Sequence, residues 1–371
     1  MLGIIVNADD FGLHERVNDA VALAYRHGVL TSASLMVGAP AAPGAIAYAR
    51  QLPGLRVGLH IVLADGYATL CPASIPDLVD RQGRFNDAMA RDGVRFFCLP
   101  HVRAQLAAEI RAQFEAFAAT GLVLDHVNTH KHFHLHPTVL ALILKIGRDF
   151  RLRAVRLPRE LHGSILLRPW IALAHAKLRR AGIDHNDHVA GLVQTGRMNE
   201  AAFLSVLARR PPGVLEIYCH PANAGAHALT PSMRGYRHAD ELAALRSPAV
   251  AAAIEASGAM HGGFADVFGH EQYREVRVRA QIARSVGCHS FDRLADRRNI
   301  ERKGGAPTGI VCSPHGSSMS LDNRTADRQA HPHTLSLRGE KPLEQPVSVL
   351  RIDSRSRIPH RDDQIICDAA A

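Results

Sequence analysis

The hydrophobic pattern of this chain switches repeatedly between short continuous apolar runs and longer stretches with apolar residues every three to four positions. Runs of the first kind suit strands buried on both faces, and the second spacing suits helices that bury one side. Residues 2–7 form such a run and lead into Asn7-Ala8-Asp9-Asp10-Phe11-Gly12, after which Val17, Ala20, Val21 and Ala24 mark a helix. Residues 31–37 read as a second strand, 43–51 as a helix, and 56–63 as a third strand with His60 inside it. A helix over 103–119 carries Leu106, Ile110, Phe114 and Phe117. A strand then runs into the stretch 125–137, where Pro137 suits the first turn of a helix reaching about Arg148. Residues 154–158 give another short strand, 165–180 an amphipathic helix, and 214–219 a strand ending at His220. Helices over 238–246 and 249–257 complete the periodic region. Strands alternating with helices predict an α/β fold with a mostly parallel sheet. Residues 64–102 lack a period and contain Gly66, Pro72, Pro76 and Gly83, which predicts a long loop over the site. Past about residue 270 the pattern dissolves, so the reading is a domain over 1–270 and a largely disordered extension over 271–371.

Composition changes this picture little. A hydrophobic fraction of 47% and a charged fraction of 21% are ordinary for a globular protein. No apolar run reaches the roughly 18 residues of a membrane span. The chain opens on a strand rather than a basic leader, and its six cysteines form no Cys-x-x-Cys pair, so a cytoplasmic location is expected. The net charge of +9 fits an acidic partner. Aromatic content of 5%, with no recognition motif, argues against nucleic acid. The 165–180 helix carries Leu166, Trp170, Ile171 and Leu173 before Lys177, Arg179 and Arg180. Core packing is its ordinary reading. Peripheral contact with the inner membrane surface is the alternative.

The densest chemistry lies at 125–136, where five histidines (126, 130, 132, 134 and 136) accompany Asp125 and Asn128. Neutral imidazole is the commonest metal ligand at physiological pH. On a strand, residues four apart lie about 13 Å from each other, so one ion cannot take all five. Asp9 and Asp10 end a buried strand, where paired carboxylates are costly unless a cation or proton compensates them. Helix capping explains one of the two but not both. With His60 and His220, these residues sit in or at the ends of predicted strands, where barrel enzymes place their sites.

Asn7-Ala-Asp-Asp-Phe-Gly12, Val57-Gly-Leu-His60, Asp125-His-Val-Asn-Thr-His130-Lys-His-Phe-His134 and Glu216-Ile-Tyr-Cys-His220-Pro221 together resemble the YdjC family of carbohydrate deacetylases. Residues 30–37, 75–80 and 130–140 are similar to its hopanoid-biosynthesis branch, HpnK. The resemblance implies a distorted TIM-like β/α barrel of the polysaccharide-deacetylase kind. It implies a divalent metal, Mg or Zn, held by Asp10, His60 and His130, with Asp9 as general base and His220 as general acid. The implied substrate is an N-acetylated sugar, specifically an N-acetylglucosamine carried on a hopanoid glycolipid, with chitooligosaccharides as the alternative. Asn128 and Lys131 stand where chitooligosaccharide deacetylases carry Asp and His, a departure that touches substrate contacts. Asn128, His132 and His134 are expected to meet substrate. A helical start to the loop would also set His134 beside His130, which leaves its part in the metal site open.

The chemistry fits the residues independently. Two imidazoles and a carboxylate leave positions for water and the acetyl oxygen. Strand alternation should point Asp9 and Asp10 apart, an objection that weakens if the turn towards Gly12 brings both to one mouth. A non-catalytic glycolipid-binding protein would need no spare base beside its ligands, and a dinuclear phosphoesterase would want more carboxylates. The sequence leaves oligomeric state open, a homodimer included.

Overall fold

The first apolar run becomes β1 (Gly3–Phe11), and all nine of its residues are buried. The computed structural model describes residues 2–270 apart from 162 and 226, so the expectation for 271–371 lies outside the described residues. After β1 come α1 (Glu15–His27), β2 (Ser32–Leu35), α2 (Ala42–Gln51), β3 (Arg56–Ile61), α3 (Met89–Cys98) and α4 (Pro100–Ala119). Then follow β4 (Val127–Thr129), α5 (Pro137–Gly147), α6 (Arg168–Ala181), β5 (His188–Ala190), α7 (Glu200–Ala208) and β6 (Val214–Cys219). The described residues close with α8 (His238–Leu245), α9 (Pro248–Ala256), β7 (Met260–His261) and α10 (Phe264–Phe268).

The strands pair in parallel in the order β4-β3-β2-β1-β6-β5, with β7 beside the start of β1. Residues 153–161 join the two outer strands. Val127 N–H donates to the Ala154 carbonyl and Arg156 N–H to the Val127 carbonyl; further along, Val189 N–H donates to Arg159 and Leu161 N–H to Val189. The sheet therefore curls round on itself as a distorted barrel with its helices outside. The segment read as a strand over 154–158 makes isolated bridges rather than a ladder, to Val127 on one side and to Asp184 and Val189 on the other.

Alternation along β1 sorts its side chains. Ile4, Val6 and Ala8 join the main core between sheet and helices. Ile5 packs inside the barrel with Ala154, Val214 and Phe264, which form an apolar floor. One layer up, Asn7, Ser34, Asn128, Arg156 and Glu216 are all fully buried. A polar layer at that depth is tolerable only when its donors and acceptors meet each other. The floor is shut by α10, where Phe264 stacks on His126 with ring centroids 4.8 Å apart and Asp266 takes a bidentate contact from Arg56.

Residues 64–102 are not one long loop: they hold a 3-10 turn at Pro72–Ser74 and α3. Gly93 within α3 and exposed Val94 and Phe97 blur the helical period there. The preceding turns are tied down by Glu109 of α4, which accepts from the N–H groups of Thr69 and Leu70 at 2.8 and 3.0 Å. Among the described residues, no helix is long and apolar enough to cross a membrane.

Candidate metal centre

The carboxyl ends of β1, β3 and β4 converge on one mouth. Asp10 lies near the end of β1, where continued alternation would turn its side chain out towards the helices. Instead its backbone adopts φ +63°, and the register with β2 shifts between Ala8 and Phe11. A non-glycine residue in this region costs on the order of 1–3 kcal/mol and persists only where its surroundings enforce it. The kink places Asp10 Oδ1 3.4 Å from His60 Nε2 and 3.1 Å from His130 Nδ1, and those nitrogens are 3.4 Å apart. Donors placed tetrahedrally about a zinc-sized ion at 2.0–2.1 Å would be about 3.3 Å apart. Neither oxygen of Asp10, buried as it is, meets a hydrogen-bond partner. Burial alone would raise this carboxyl, yet His130 and the imidazoles around it hold it well below the usual range. Three converging donors with an unsatisfied anionic oxygen at their centre fit a divalent cation.

The nitrogen His60 offers is fixed from behind. Asn128 Oδ1 accepts from His60 Nδ1 at 2.6 Å, which leaves the Nε2 lone pair facing Asp10. Asp9, beside it in sequence, is treated in the opposite way. Arg156 clamps it with Nη1 to Oδ2 at 2.7 Å and Nη2 to Oδ1 at 2.9 Å, while Asn7 and Asn128 donate to Oδ1. Arg156 also donates to Glu216 Oε1 from Nε and Nη2, and its guanidinium lies 4.5 Å from the centre of the Tyr218 ring. Burial pushes the Asp9 carboxyl up, but Arg156, with His60 and His220, outweighs it and holds the group well below the usual range. Asp9 thus stays ionised beside the cluster. On the other side His220 sets Nε2 3.9 Å from Asp10 Oδ2, with Nδ1 unpartnered. Its backbone is pinned by Glu241, which accepts the His220 N–H, and by His238, whose Nδ1 donates to the His220 carbonyl at 2.6 Å.

The remaining histidines of the rich stretch lie elsewhere because β4 stops at Thr129 and a 3-10 turn, His130–Leu135, follows. Lys131 and His132 both take φ +55° in that turn. Lys131 is held by Asp65 and Asp87, and His132 Nε2 meets the Tyr218 hydroxyl at 3.0 Å. His132 is half-buried, so substrate contact is still open to it. The expectation for the other two needs correcting. Asn128 has no exposed surface and spends its amide on His60, Asp9 and Ser34. His134 is buried with Nδ1 on Thr129 Oγ1 and Nε2 on the Arg156 carbonyl, so neither nitrogen remains for substrate or metal.

Arg156 and Ser34 carry no role in the sequence reading, and Asn7 and Glu216 stand there only as the first residues of quoted motifs. Their signal was there: an arginine in Ala-Val-Arg-Leu and a glutamate in Val-Leu-Glu-Ile sit in buried runs, where charges survive only as partners.

The family profile described as YdjC-like protein matches residues 3–256. The chain belongs to the YdjC-like family. Among YdjC-like relatives, a carbohydrate deacetylase of Brevibacillus brevis is 34% identical over 241 residues, covering 64% of this chain and 89% of that protein. A chitooligosaccharide deacetylase of Serratia marcescens is 34% identical over 271 residues, 71% of this chain and 98% of the relative. The fold matches a crystal structure of an Enterococcus faecalis protein linked to cellobiose-phosphate cleavage, with a TM-score of 0.58 and 24% identity over 71% of this chain and 97% of that one.

Proposed function

We propose that this YdjC-like chain is a metal-dependent N-deacetylase of an acetylated amino sugar carried on a hopanoid lipid, working at the inner face of the membrane. The observation that carries the reaction class is the pair Asp9 and Asp10: one carboxylate unpartnered between two imidazoles, the other held ionised by Arg156. Asp10, His60 and His130 would hold the metal, and two imidazoles with one carboxylate favour zinc over magnesium. A divalent ion there supplies a Lewis acid for the amide carbonyl and acidifies a water. Asp9, ionised beside the cluster, accepts the proton of the attacking water. His220 delivers a proton to the leaving nitrogen as the C–N bond breaks, yielding acetate and a free amine. Asn128 and Arg156 fix the angles at which His60 and Asp9 act.

Support for a lipid-linked substrate comes from α6 and the turn before it. Ile171, Ala174 and Leu178 form the buried face of α6. At its exposed start Trp170 is 47% exposed with Leu173 nearby, and in the 3-10 turn before it (Ile165–Leu167) Leu166 is 80% exposed beside exposed Ile165. On α3, which also packs on α5, Phe97 is 62% exposed. Single exposed apolar residues are common, but four of them between residues 165 and 173 ask for a partner. Each side chain that enters an acyl boundary contributes on the order of 1.5–3 kcal/mol. Arg179 and Arg180 add about 1 kcal/mol each near anionic headgroups.

The test is mass spectrometry of an N-acetylglucosaminyl hopanoid in anionic vesicles and of free chitooligosaccharides, each incubated with zinc-loaded protein. Loss of one acetyl group from the hopanoid glycolipid, reduced in Leu166→Ser/Trp170→Ser, is expected. Deacetylation of chitooligosaccharides alone would replace the lipid substrate with the free sugar, and no acetate from either would overturn the reaction class.

A further inference from the structure

Beneath the cluster lies a second set of chemistry-bearing side chains that the proposed reaction does not use. Ser34 Oγ is 2.9 Å from His126 Nε2, and His126 Nδ1 is 2.9 Å from Asp125 Oδ2. In composition this is a Ser–His–Asp triad. All three residues have no exposed surface, so no acyl group reaches the hydroxyl. Gly58 makes room for them, because a Cβ there would overlap the His126 ring.

Counting donors shows how the chain of bonds is ordered. A serine hydroxyl has one proton to give and two lone pairs. Asn7 Nδ2 and Asn128 Nδ2 each donate to Ser34 Oγ at 2.9 Å, which fills both lone pairs. The hydroxyl proton must therefore go to His126 Nε2. That fixes the Nδ1–H tautomer, and Nδ1 donates to Asp125. Asp125 is anchored in turn by the N–H groups of Phe264 and Ala265, at 3.2 and 2.9 Å. At the other end, the second hydrogens of Asn7 and Asn128 both go to Asp9 Oδ1, at 2.8 and 3.1 Å. The Asn128 oxygen takes the His60 Nδ1–H.

We infer that Asp125, His126 and Ser34 are positioning residues: a buried relay that runs from the floor of the barrel and sets the two amides holding Asp9 and choosing the His60 tautomer. Every bond along it has a direction, and reversing the His126 end leaves Ser34 with one donor too many. Asp125→Asn is the sharpest way to reverse it. The asparagine oxygen keeps the Ala265 N–H, while its NH₂, standing where Oδ2 was, gives up the Phe264 N–H and faces His126, which then carries its proton on Nε2. Ser34 would face three donors with two lone pairs, and one of the two amides must let go. Ser34→Ala removes the acceptor of both amides directly.

The kinetic part of the test rests on the proposed deacetylation; two other parts do not. Long-range ¹H–¹⁵N spectra of the metal-free protein should show His126 as the Nδ1–H tautomer in wild type and as Nε2–H in Asp125→Asn. Zinc affinity should fall about 10–100-fold in each variant, the range seen when outer-shell partners of a ligand are changed. The value of kcat should fall by a similar factor with KM held. The double variant should be no worse than Ser34→Ala alone, because members of one chain are not additive. Ser34→Thr, which keeps the hydroxyl, should recover most of the loss. An Nε2–H tautomer in wild type would overturn the relay outright, even if no variant folds. So would folded variants with wild-type zinc affinity, or losses that multiply in the double variant. If wild type releases no acetate while zinc affinity and tautomer behave as described, the deacetylase reading fails and the relay stands.

Discussion

His126 and His130 stand four residues apart on one short segment, both buried, and their surroundings are opposite. Both ring nitrogens of His126 have protein partners, Ser34 and Asp125. The His130 ring instead turns towards Asp10, whose two oxygens no donor satisfies. Asp9 and Asp10 divide in the same way, one clamped by Arg156 and two amides, the other left unpartnered. Burial of a polar residue therefore does not mark the site by itself. What marks it is convergence: three donor atoms meet at one point, one of them an anionic oxygen that no donor satisfies, and a buried anion without a donor is costly until a cation arrives.

The largest effects should come from the unused side. Asp10→Ala, His60→Ala and His130→Ala should each lose zinc on dialysis and lose acetate release with it, by more than the about 10–100-fold that outer-shell changes cause. His134→Ala, on the satisfied side, should keep zinc. It should melt earlier instead, since Thr129 and the Arg156 carbonyl lose a buried partner worth about 1–3 kcal/mol. A folded His134→Ala protein that cannot hold zinc would break the comparison.

A smaller but cleaner separation concerns the two carboxylates. Asp9→Asn should retain zinc while turnover falls about 10²–10⁴-fold, because an amide cannot accept the water's proton. His220→Ala should also retain zinc, and its loss should shrink for substrates whose amines leave readily. Wild-type turnover in Asp9→Asn would exclude the base role.

How much of this was legible in the sequence follows from where each signal lies. The residues ending apolar runs, Asp9, Asp10, His60 and His220, stand out because charge or imidazole interrupts a buried pattern. The α/β order and most helix positions follow from the same periodicity. The turn that brings Asp10 back to its neighbour's side is a backbone event, φ +63°, that an ordinary aspartate does not announce. Arg156 meets Asp9 across 147 positions, and no local pattern links them. His134 is carried away from the cluster by two left-handed residues, Lys131 and His132, a turn that neither an extended strand nor a regular helix contains. β5 and α7 lie in residues 181–213, whose short elements went unread.

A pH dependence belongs to the buried carboxyl behind His220. Burial pushes the Glu241 carboxyl up to about 7, against the pull of hydrogen bonds from the N–H groups of Met198 and His220. Between the ordinary glutamate value of 4.5 and about 7, the folded protein then binds more protons than the unfolded chain. The stability Glu241 contributes is complete below that window and is lost as pH rises through it. In metal-free protein, the melting difference between wild type and Glu241→Gln should therefore fall from pH 5 to pH 8. A difference that stays flat, or grows, would place the Glu241 titration elsewhere.

The central claim is that the unused lone pairs of Asp10, His60 and His130 bind one ion and the satisfied histidines bind none. An anomalous difference map at the zinc edge, from crystals of the full chain grown with zinc, tests it most directly. The account predicts a single strong peak among the described residues, bounded by Asp10 Oδ1, His60 Nε2 and His130 Nδ1, with none at His126 or His134. A peak ligated by His132, His134 or His136, or no peak between Asp10 and His60, would contradict it.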